Sequence, residues 1–299
     1  MIKSRSKFYT QKSILVMNFI GVLVLMFVTL GQTALAQTQE PQTIIALVEK
    51  AAAFIEKEGE KGFSEFEKKG GEWFQGESYI FGMDLSGYRV FYPPDPSTDG
   101  QYILDLKDVN GKPIMRQMLD RVSGWTHYQW PKPGETDPHW KSTYTQKVLS
   151  PSGKEYLIGN GRYDMKIDKV FFVDVVNQAT DLVKKMGRKA FPIFHDQTGP
   201  YLFQDAYIFI YTNQGINQVL PYDPSKEGTS LFDYRDENGK LVIQEFINTA
   251  QSNPEGGWVE YQWPKPGETK QLFKISFVKA VTVEGETFIV GCGFYPDNS

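Results

Sequence analysis

The apolar positions of this chain change from a helical period to a strand period, and the change occurs twice. Between residues 41 and 69, apolar residues recur every three or four positions with Lys and Glu between them, which predicts a helix that Gly59 and Gly62 interrupt. Residues 79–92 then alternate about a Ser-Gly turn, as a hairpin does. A second helical period over residues 170–186 is again followed by strand patterns, so the chain contains the same succession twice.

A stretch of twelve residues confirms that the chain is duplicated. The pattern W-x-x-Y-Q-W-P-K-P-G-E-T occupies residues 125–136 and returns at residues 258–269, with ten of the twelve positions identical. Trp and Pro are too uncommon for such a match to arise by accident. The sequence therefore indicates two tandem repeats.

Each repeat has its own succession of predicted elements: a long helix, a hairpin, a short helix and three more strands. In the first repeat the short helix is predicted at residues 113–122. This order predicts an α+β fold in which each repeat is a long N-terminal helix plus a roughly five-stranded antiparallel sheet, with the helices on one face. We place the first domain at residues 40–167 and the second at 168–299. No Gly/Pro/Ser-rich linker separates them, so we expect close packing.

The first 36 residues have the pattern of a signal peptide. Four basic residues precede an apolar run over residues 14–30, and Ala34-Leu35-Ala36 is a small-residue cleavage site. We predict cleavage after Ala36 and a periplasmic or secreted protein. The alternative is an uncleaved membrane anchor, because the apolar run is at the lower limit for a membrane span. No later run is long enough, so no transmembrane segment is expected in the cleaved chain.

Composition narrows the class of protein. The chain has 299 residues, 40% of them hydrophobic and 23% charged, as in soluble globular proteins. Removing the signal segment changes the formal net charge from −4 to −8, and no basic patch exists, so nucleic acid is not an expected partner. The single cysteine, Cys292, reads as a small buried residue.

Signatures of catalysis and of cofactor binding are missing from the sequence. It contains no nucleophile elbow, no His-Glu-x-x-His and no phosphate-binding loop. The Asp-x-Asn-Gly turns at Asp108 and Asp236 lack the first ligand of a calcium loop, so they read as tight turns. We expect no enzymatic activity, no catalytic residue, no metal site and no cofactor. The spacing of the carboxylates alone does not distinguish a two-carboxylate glycosidase from a protein without catalytic activity. A secreted hydrolase is therefore kept as a distant alternative.

Lys141 and Lys274 occupy the same place in the two repeats, just after the repeated motif. A lysine on a strand lined by Tyr and Trp could pair with the carboxylate of a ligand. The other interpretation is an exposed edge lysine that prevents strand pairing. Arg89 has no basic counterpart, since Asn217 stands there, which makes the first repeat better equipped for an anion.

The repeated motif divides into two faces if it is a strand. Trp125 and His127 then point one way, and Tyr128 and Trp130 point the other way. We expect Trp125 and its counterpart Trp258 to be structural, and the Tyr/Trp face to be the wall of a ligand site.

Several of these patterns together resemble the extracytoplasmic Cache sensor domains of chemoreceptors and sensor kinases, specifically the single-Cache type. The resemblance covers nearly all of residues 40–299. It rests on these stretches of the first repeat: Trp73 with Ser78-Tyr79-Ile80-Phe81 and Asp84-x-x-Gly87, the Asp108-x-Asn-Gly111-Lys112 turn, Gly124-Trp125-x-x-Tyr128-x-Trp130, Lys141-x-x-Tyr144, and Gly159-x-Gly161-x-Tyr163. It implies a PAS-like fold that encloses a small ligand such as an organic acid or an amino acid.

The resemblance predicts a sensory protein that binds a small molecule without transforming it and signals through another protein, such as a membrane sensor or transporter. An alternative is a protein–protein interaction module that docks through its Trp-Pro-Lys-Pro loops, which predicts that Trp130 and Pro131 are exposed. The predicted first pocket comprises Tyr79, Phe81, Arg89, Tyr92, Tyr128, Trp130, Lys141 and Tyr144. The predicted second pocket comprises Tyr207, Phe209, Tyr261, Trp263, Lys274 and Phe277.

Overall fold

A computed structural model describes residues 40–296 of the chain, and the described residues from Ile44 onwards belong to one compact unit. The predicted signal segment lies outside the described residues. Within residues 40–296, no helix combines the length and the apolar character that crossing a membrane requires.

The first repeat begins with helix α1, residues 40–58, which ends where Gly59 adopts a positive φ of 63°. This is the interruption that the sequence predicts, because a left-handed residue stops a helix and glycine adopts that conformation without strain. The elements that follow are α2 (Phe63–Phe66), β1 (Phe74–Gln75), β2 (Ser78–Tyr79), β3 (Phe81–Asp84), β4 (Arg89–Phe91), α3 (Ile114–Leu119), β5 (Ser123–Pro131), β6 (Pro138–Leu149) and β7 (Glu155–Tyr163).

The second repeat has the same order of elements. It begins with α4, whose N-cap Asp168 accepts a hydrogen bond from the backbone N–H of Val170. Its elements are α4 (Lys169–Met186), β8 (Leu202–Phe203), β9 (Ala206–Tyr207), β10 (Phe209–Thr212), β11 (Asn217–Val219), α5 (Val242–Ser252), β12 (Gly257–Pro264), β13 (Gln271–Val283) and β14 (Glu286–Phe294). Helix α5 is longer than α3, which accounts for the extra residues that precede the second copy of the motif.

The two five-stranded antiparallel sheets have the same topology. Their strand orders are β4-β3-β7-β6-β5 and β11-β10-β14-β13-β12. The strand that carries the repeated motif forms one edge of each sheet, next to the strand that carries Lys141 or Lys274. This architecture confirms the predicted α+β class with two helix-plus-sheet repeats.

Each sheet has an apolar cluster on both of its faces. In the first repeat, α1 packs on one face against Ile80 and Ile158. The other face carries Phe81 and Leu157 together with residues of the short helix α3. The expectation of helices on one face only is therefore wrong, because α3 and the loops around it cover the second face. That second layer is less regular than a long helix, and an irregular layer leaves room for a cavity.

The Asp-x-Asn-Gly turns fix the edge strand. Asp108 Oδ1 accepts hydrogen bonds from the backbone N–H groups of Asn110 and Lys112, and its Oδ2 accepts one from Gln129 N in β5 at 3.1 Å. Asp236 makes the equivalent three bonds in the second repeat, including one from Gln262 N at 2.9 Å. The turn thus holds the strand that presents Tyr128 and Trp130.

Candidate functional site

A cavity lies between the sheet of the first repeat and the layer formed by α3 and its loops. Its volume is about 40 Å³, several times the roughly 10–15 Å³ that one water molecule requires. Most of its wall is apolar or aromatic, with a few polar groups, as in small-molecule sites. The lining residues are Tyr79, Phe81, Gly82, Arg89, Tyr92, Ile103, Leu106, Ile114, Met115, Tyr128, Trp130 and Lys141.

Lys141 is the central polar group of this cavity. Its side chain is buried, with 3% of the residue exposed, which rules out the exposed edge lysine. The ammonium donates to Tyr79 Oη at 2.9 Å and to Tyr163 Oη at 3.3 Å. Burial lowers the pKa of Lys141 to about 7, and Glu77 opposes this effect only weakly. Lys141 is in none of the described ion pairs, so its charge is open to an anionic ligand.

Strand register places Tyr128 and Tyr163 on either side of Lys141. In the β6–β7 hairpin Lys141 pairs with Tyr163, and in the β5–β6 hairpin Lys141 pairs with Tyr128. The Tyr163 hydroxyl donates to the carbonyl of Pro131 at 2.9 Å, which fixes its orientation. Tyr128 Oη is 3.0 Å from Thr143 Oγ1 and is held in the same way.

Arg89 provides a second cation at the wall of the cavity. Its guanidinium lies 4.4 Å from the centre of the Tyr92 ring and donates to Thr98 Oγ1. The Tyr92 hydroxyl is 3.3 Å from that of Tyr79. Arg89 is therefore linked to Lys141 through two phenol groups.

Two of the predicted pocket residues lie on the opposite face of their sheets. Tyr144 packs against Trp125 at 5.5 Å between ring centres, and Phe277 packs against Trp258 at 5.2 Å. Both face the long-helix side, because each lies three positions after its lysine and an odd offset along a strand changes the face. The structure brings the other seven predicted residues of the first repeat together around the cavity.

The second repeat has a buried lysine in the equivalent position. Lys274 is fully buried, and its ammonium lies 4.1 Å from the centre of the Tyr207 ring and 5.0 Å from that of Tyr295. Among the described residues, its Nζ has no hydrogen-bond partner. Phe209, Tyr261 and Trp263 belong to the same apolar cluster as Tyr207.

An open cleft of about 400 Å³ lies further out in the second repeat. Tyr207 and Trp263 line it together with Tyr222, Tyr234 and the loop that follows the motif. Lys274 does not line it. The predicted second pocket is thus divided between this cleft and the buried interior.

The loop after the motif bears on the docking alternative. Trp130 and Pro131 are both half-buried rather than exposed, and Trp130 is part of the cavity wall. In the second repeat Trp263 is buried. This placement gives the docking alternative no support.

Tyr163 is a site residue outside the predicted pocket, although the strand register that places it beside Lys141 can be predicted from the sequence. A hairpin turn centred on Ser152 pairs residues whose numbers are equidistant from it, and Lys141 and Tyr163 are such a pair. The apolar lining residues of the loops and of α3, such as Ile103 and Ile114, carry no comparable signal.

Comparison with known protein families gives two matches. The model described as "Cache domain" matches residues 49–191, and the model described as "Single Cache domain 2" matches residues 172–298.

The curated relatives are a sensor histidine kinase and a chemotaxis protein, and this chain spans a fifth or less of the length of each. It is 36% identical over 95 residues to the sensor histidine kinase MctS of Rhizobium johnstonii, which is 32% of this chain and 20% of the kinase. It is 30% identical over 91 residues to the methyl-accepting chemotaxis protein McpP of Pseudomonas putida, which is 29% of this chain and 16% of that protein.

Among solved structures, the periplasmic sensor domain of a chemotaxis protein is 32% identical. The match covers 40% of this chain and 90% of that domain, with a TM-score of 0.36. Family membership therefore rests on the two models, which together span residues 49–298. The chain belongs to the Cache family of extracytoplasmic sensor domains, which bind ligands and take part in signal transduction.

Proposed function

We propose that the first repeat is a sensor module that binds a small carboxylate in the cavity around Lys141. The single observation that carries this proposal is the buried ammonium of Lys141. It faces a cavity and contacts two phenol groups, without a carboxylate partner in the described ion pairs.

The chemistry of the cavity favours a carboxylate over a neutral ligand. A desolvated ammonium without a counter-charge is unfavourable, and a bound anion would compensate it. A carboxylate has two oxygens, so it could accept from Lys141 and also from the neighbouring hydroxyl of Tyr79. The opposite wall, with Ile103 and Ile114, would contact the alkyl part of the ligand.

The small volume of the cavity favours a ligand with few non-hydrogen atoms. A volume of about 40 Å³ suits a short organic acid better than an amino acid with a large side chain. Arg89 at the wall would interact with a second polar group if the ligand has one.

The remaining parts of the proposal concern the setting of this module. We propose that residues 1–36 direct export and are removed, and that residues 40–167 and 168–299 are the two domains. The ligand state would be passed on by contact with a membrane sensor or transporter, without chemical change of the ligand. The assignment of both repeats to a family of sensor domains supports this setting.

Thermal shift and calorimetric titration with sodium acetate, sodium propionate and L-alanine test the proposal. We expect propionate or acetate to raise the Tm of the wild-type chain and to have no effect on the Lys141→Met variant. Lys154→Met is the matched control, because Lys154 is an exposed residue in the β6–β7 turn. An unchanged Tm for the wild-type chain with every acid, or an equal response of Lys141→Met, would refute the proposal.

A further inference from the structure

A histidine beside the cavity of the first repeat contacts a carboxylate with each of its two ring nitrogens. His139 Nε2 lies 3.1 Å from Glu135 Oε2, and His139 Nδ1 lies 3.1 Å from Asp164 Oδ2. A neutral imidazole has one N–H group and one lone pair, so it can donate to only one of these oxygens. The two contacts therefore specify the protonated imidazolium, which donates to both.

Strand register places His139 next to the cavity. It lies directly opposite Trp130 in the β5–β6 pair and two positions before Lys141, so the three side chains are on the same face of the sheet. Trp130 and Lys141 line the cavity. The side chain of His139 is 32% exposed, so its ring exchanges protons with the solvent.

The loop that follows the repeated motif is bound to the same carboxylate. Lys132 Nζ lies 2.8 Å from Asp164 Oδ2, and it also lies 5.9 Å from the centre of the Tyr163 ring. The Tyr163 hydroxyl accepts from Lys141, so the loop lysine and the cavity lysine contact the same phenol. Lys132, with a smaller effect of His139, holds the pKa of Asp164 below its usual range, so this carboxylate stays ionised in mild acid.

The second repeat lacks both His139 and its second carboxylate. Leu272 stands at the position of His139, and Pro296 stands at the position of Asp164. The backbone of Asp164 has a φ of 51°, in the left-handed region, whereas the ring of a proline fixes φ near −65°. The conformation that brings a carboxylate beside the histidine is therefore specific to the first repeat.

The loop itself has the same sequence in both repeats but a different ion pair. Lys265, the counterpart of Lys132, lies 2.7 Å from Asp205 in the turn between β8 and β9. Residues 264–269 line the open cleft of the second repeat. One loop sequence thus has two arrangements, with its lysine at the end of the last strand or at the first hairpin turn.

The first repeat contains the acceptor for the second arrangement as well. Glu77 is the counterpart of Asp205, in the turn between β1 and β2. Asp164 raises the pKa of Lys132 by pairing with it, and Glu77 adds a smaller effect of the same sign. Lys132 is therefore near both carboxylates and pairs with the one that His139 also contacts.

We propose that His139 is a positioning residue of the first site, whose imidazolium holds the loop after the motif and the adjoining wall of the cavity in the arrangement that binds a carboxylate. Loss of the proton leaves Glu135 and Asp164 facing each other across a neutral ring. Their repulsion releases the loop, and Lys132 moves to Glu77 as Lys265 pairs with Asp205. The first site thus binds more tightly in mild acid, for a reason separate from the charge of Lys141. This inference rests on the proposed function.

Calorimetric titration with sodium propionate at pH 5.5 and pH 7.5 tests the role of His139. The variant is His139→Leu, which introduces the residue of the second repeat. Lys141 is present in both proteins, so its own titration cancels in the ratio of their Kd values at each pH. We expect His139→Leu to bind about threefold or more weakly than the wild-type chain at pH 5.5, and equally well at pH 7.5.

Two further variants complete the test. Asp164→Asn removes the second carboxylate, and asparagine tolerates the positive φ at this position. This variant should show the same loss at pH 5.5 as His139→Leu. His195→Leu is the matched control, because His195 pairs with Glu227 in the second repeat. It should match the wild-type chain at both pH values, and circular dichroism checks the folding of all three variants.

The outcomes separate this inference from the proposed function. If the wild-type chain does not bind propionate at either pH, the proposed function fails and the role of His139 fails with it. If the wild-type chain binds, a Kd ratio for His139→Leu that is the same at both pH values overturns the inference alone, because a purely structural role does not depend on protonation. Wild-type affinity of the folded Asp164→Asn variant at pH 5.5 would also overturn it.

Discussion

Replacing Lys141 by Met should have opposite effects on the stability of the free protein and on its response to ligand. Methionine is unbranched like lysine and fills a similar volume without a charge. The substitution therefore removes the buried ammonium and leaves the packing of the cavity wall largely intact.

The magnitude follows from the pKa of the lysine. Burial lowers it from 10.5 to about 7. Since one pKa unit is about 1.4 kcal/mol, the buried charge costs about 5 kcal/mol below pH 7. The hydroxyls of Tyr79 and Tyr163 lose a donor in the variant, which costs roughly 1–3 kcal/mol. The net change in the free energy of unfolding is then a gain of about 2–4 kcal/mol at pH 6.

The ligand response changes in the other direction. A ligand present at 100 times its Kd stabilises the wild-type chain by about 2.7 kcal/mol. Loss of a charge-assisted hydrogen bond of about 1.5–3 kcal/mol would weaken binding roughly tenfold to more than a hundredfold. At the same propionate concentration, the variant should show little or no shift.

Thermal unfolding at pH 6, with and without propionate, measures both effects in one experiment. The free Lys141→Met protein should melt several degrees above the wild-type protein, since about 2–4 °C accompanies each kcal/mol in a chain of this size. The exposed-residue control Lys154→Met should match the wild-type protein in both conditions. A free variant that melts below the wild-type protein, by the amount expected for a lost ion pair, would refute the view that Lys141 is an unpaired buried cation.

Three further predictions concern pH and the turn that holds the edge strand. Propionate affinity should fall as the pH rises above about 7, because the anion pairs with protonated Lys141. Calorimetric titrations in buffers of different ionisation enthalpy should show that the protein takes up a proton when propionate binds. A pH-independent affinity would contradict this prediction. Burial holds the pKa of His127 well below 6.5. As the pH falls below 6.5, His127 becomes protonated in the unfolded chain but stays neutral in the folded one, so the free energy of unfolding decreases. His127→Phe should therefore lose less stability than the wild-type protein between pH 7 and pH 5 in thermal unfolding, and parallel curves would contradict the assignment. Asp108→Ala removes the acceptor of three backbone hydrogen bonds. It should lower the free energy of unfolding, measured by urea denaturation, by about 2 kcal/mol or more. A change within experimental error would show that the Asp108 side chain does not stabilise the turn.

Repetition and periodicity were sufficient to predict the fold class. The duplicated motif sets the number of repeats, and the interrupted helical period predicts α1 and its end at Gly59. The alternation within the motif also predicts its two faces correctly. Trp125 packs against Phe171 of α4 at 4.9 Å, whereas Tyr128 and Trp130 line the cavity.

Parity explains why two site residues were misplaced. The Lys-x-x-Tyr pattern places Tyr144 and its counterpart Phe277 in the predicted pockets, but this spacing puts them on the face opposite to the lysine. Strand alternation predicts Thr143, rather than Tyr144, on the same face as Lys141. Thr143 is indeed buried beside Tyr128.

The difference between the two interiors could not be predicted in the same way. Met83 and Tyr211 are both compatible with a buried strand, and Met118 and Phe246 with the apolar face of a helix. Whether space remains beside such residues depends on the packing of all their neighbours, which periodicity does not encode.

A crystal structure of the chain grown with sodium propionate tests the central claim most directly. The account predicts electron density for a carboxylate in the first repeat, with one oxygen about 2.7–2.9 Å from Lys141 Nζ. Propionate bound only in the outer cleft of the second repeat, or an unliganded Lys141 cavity at saturating propionate, would contradict it.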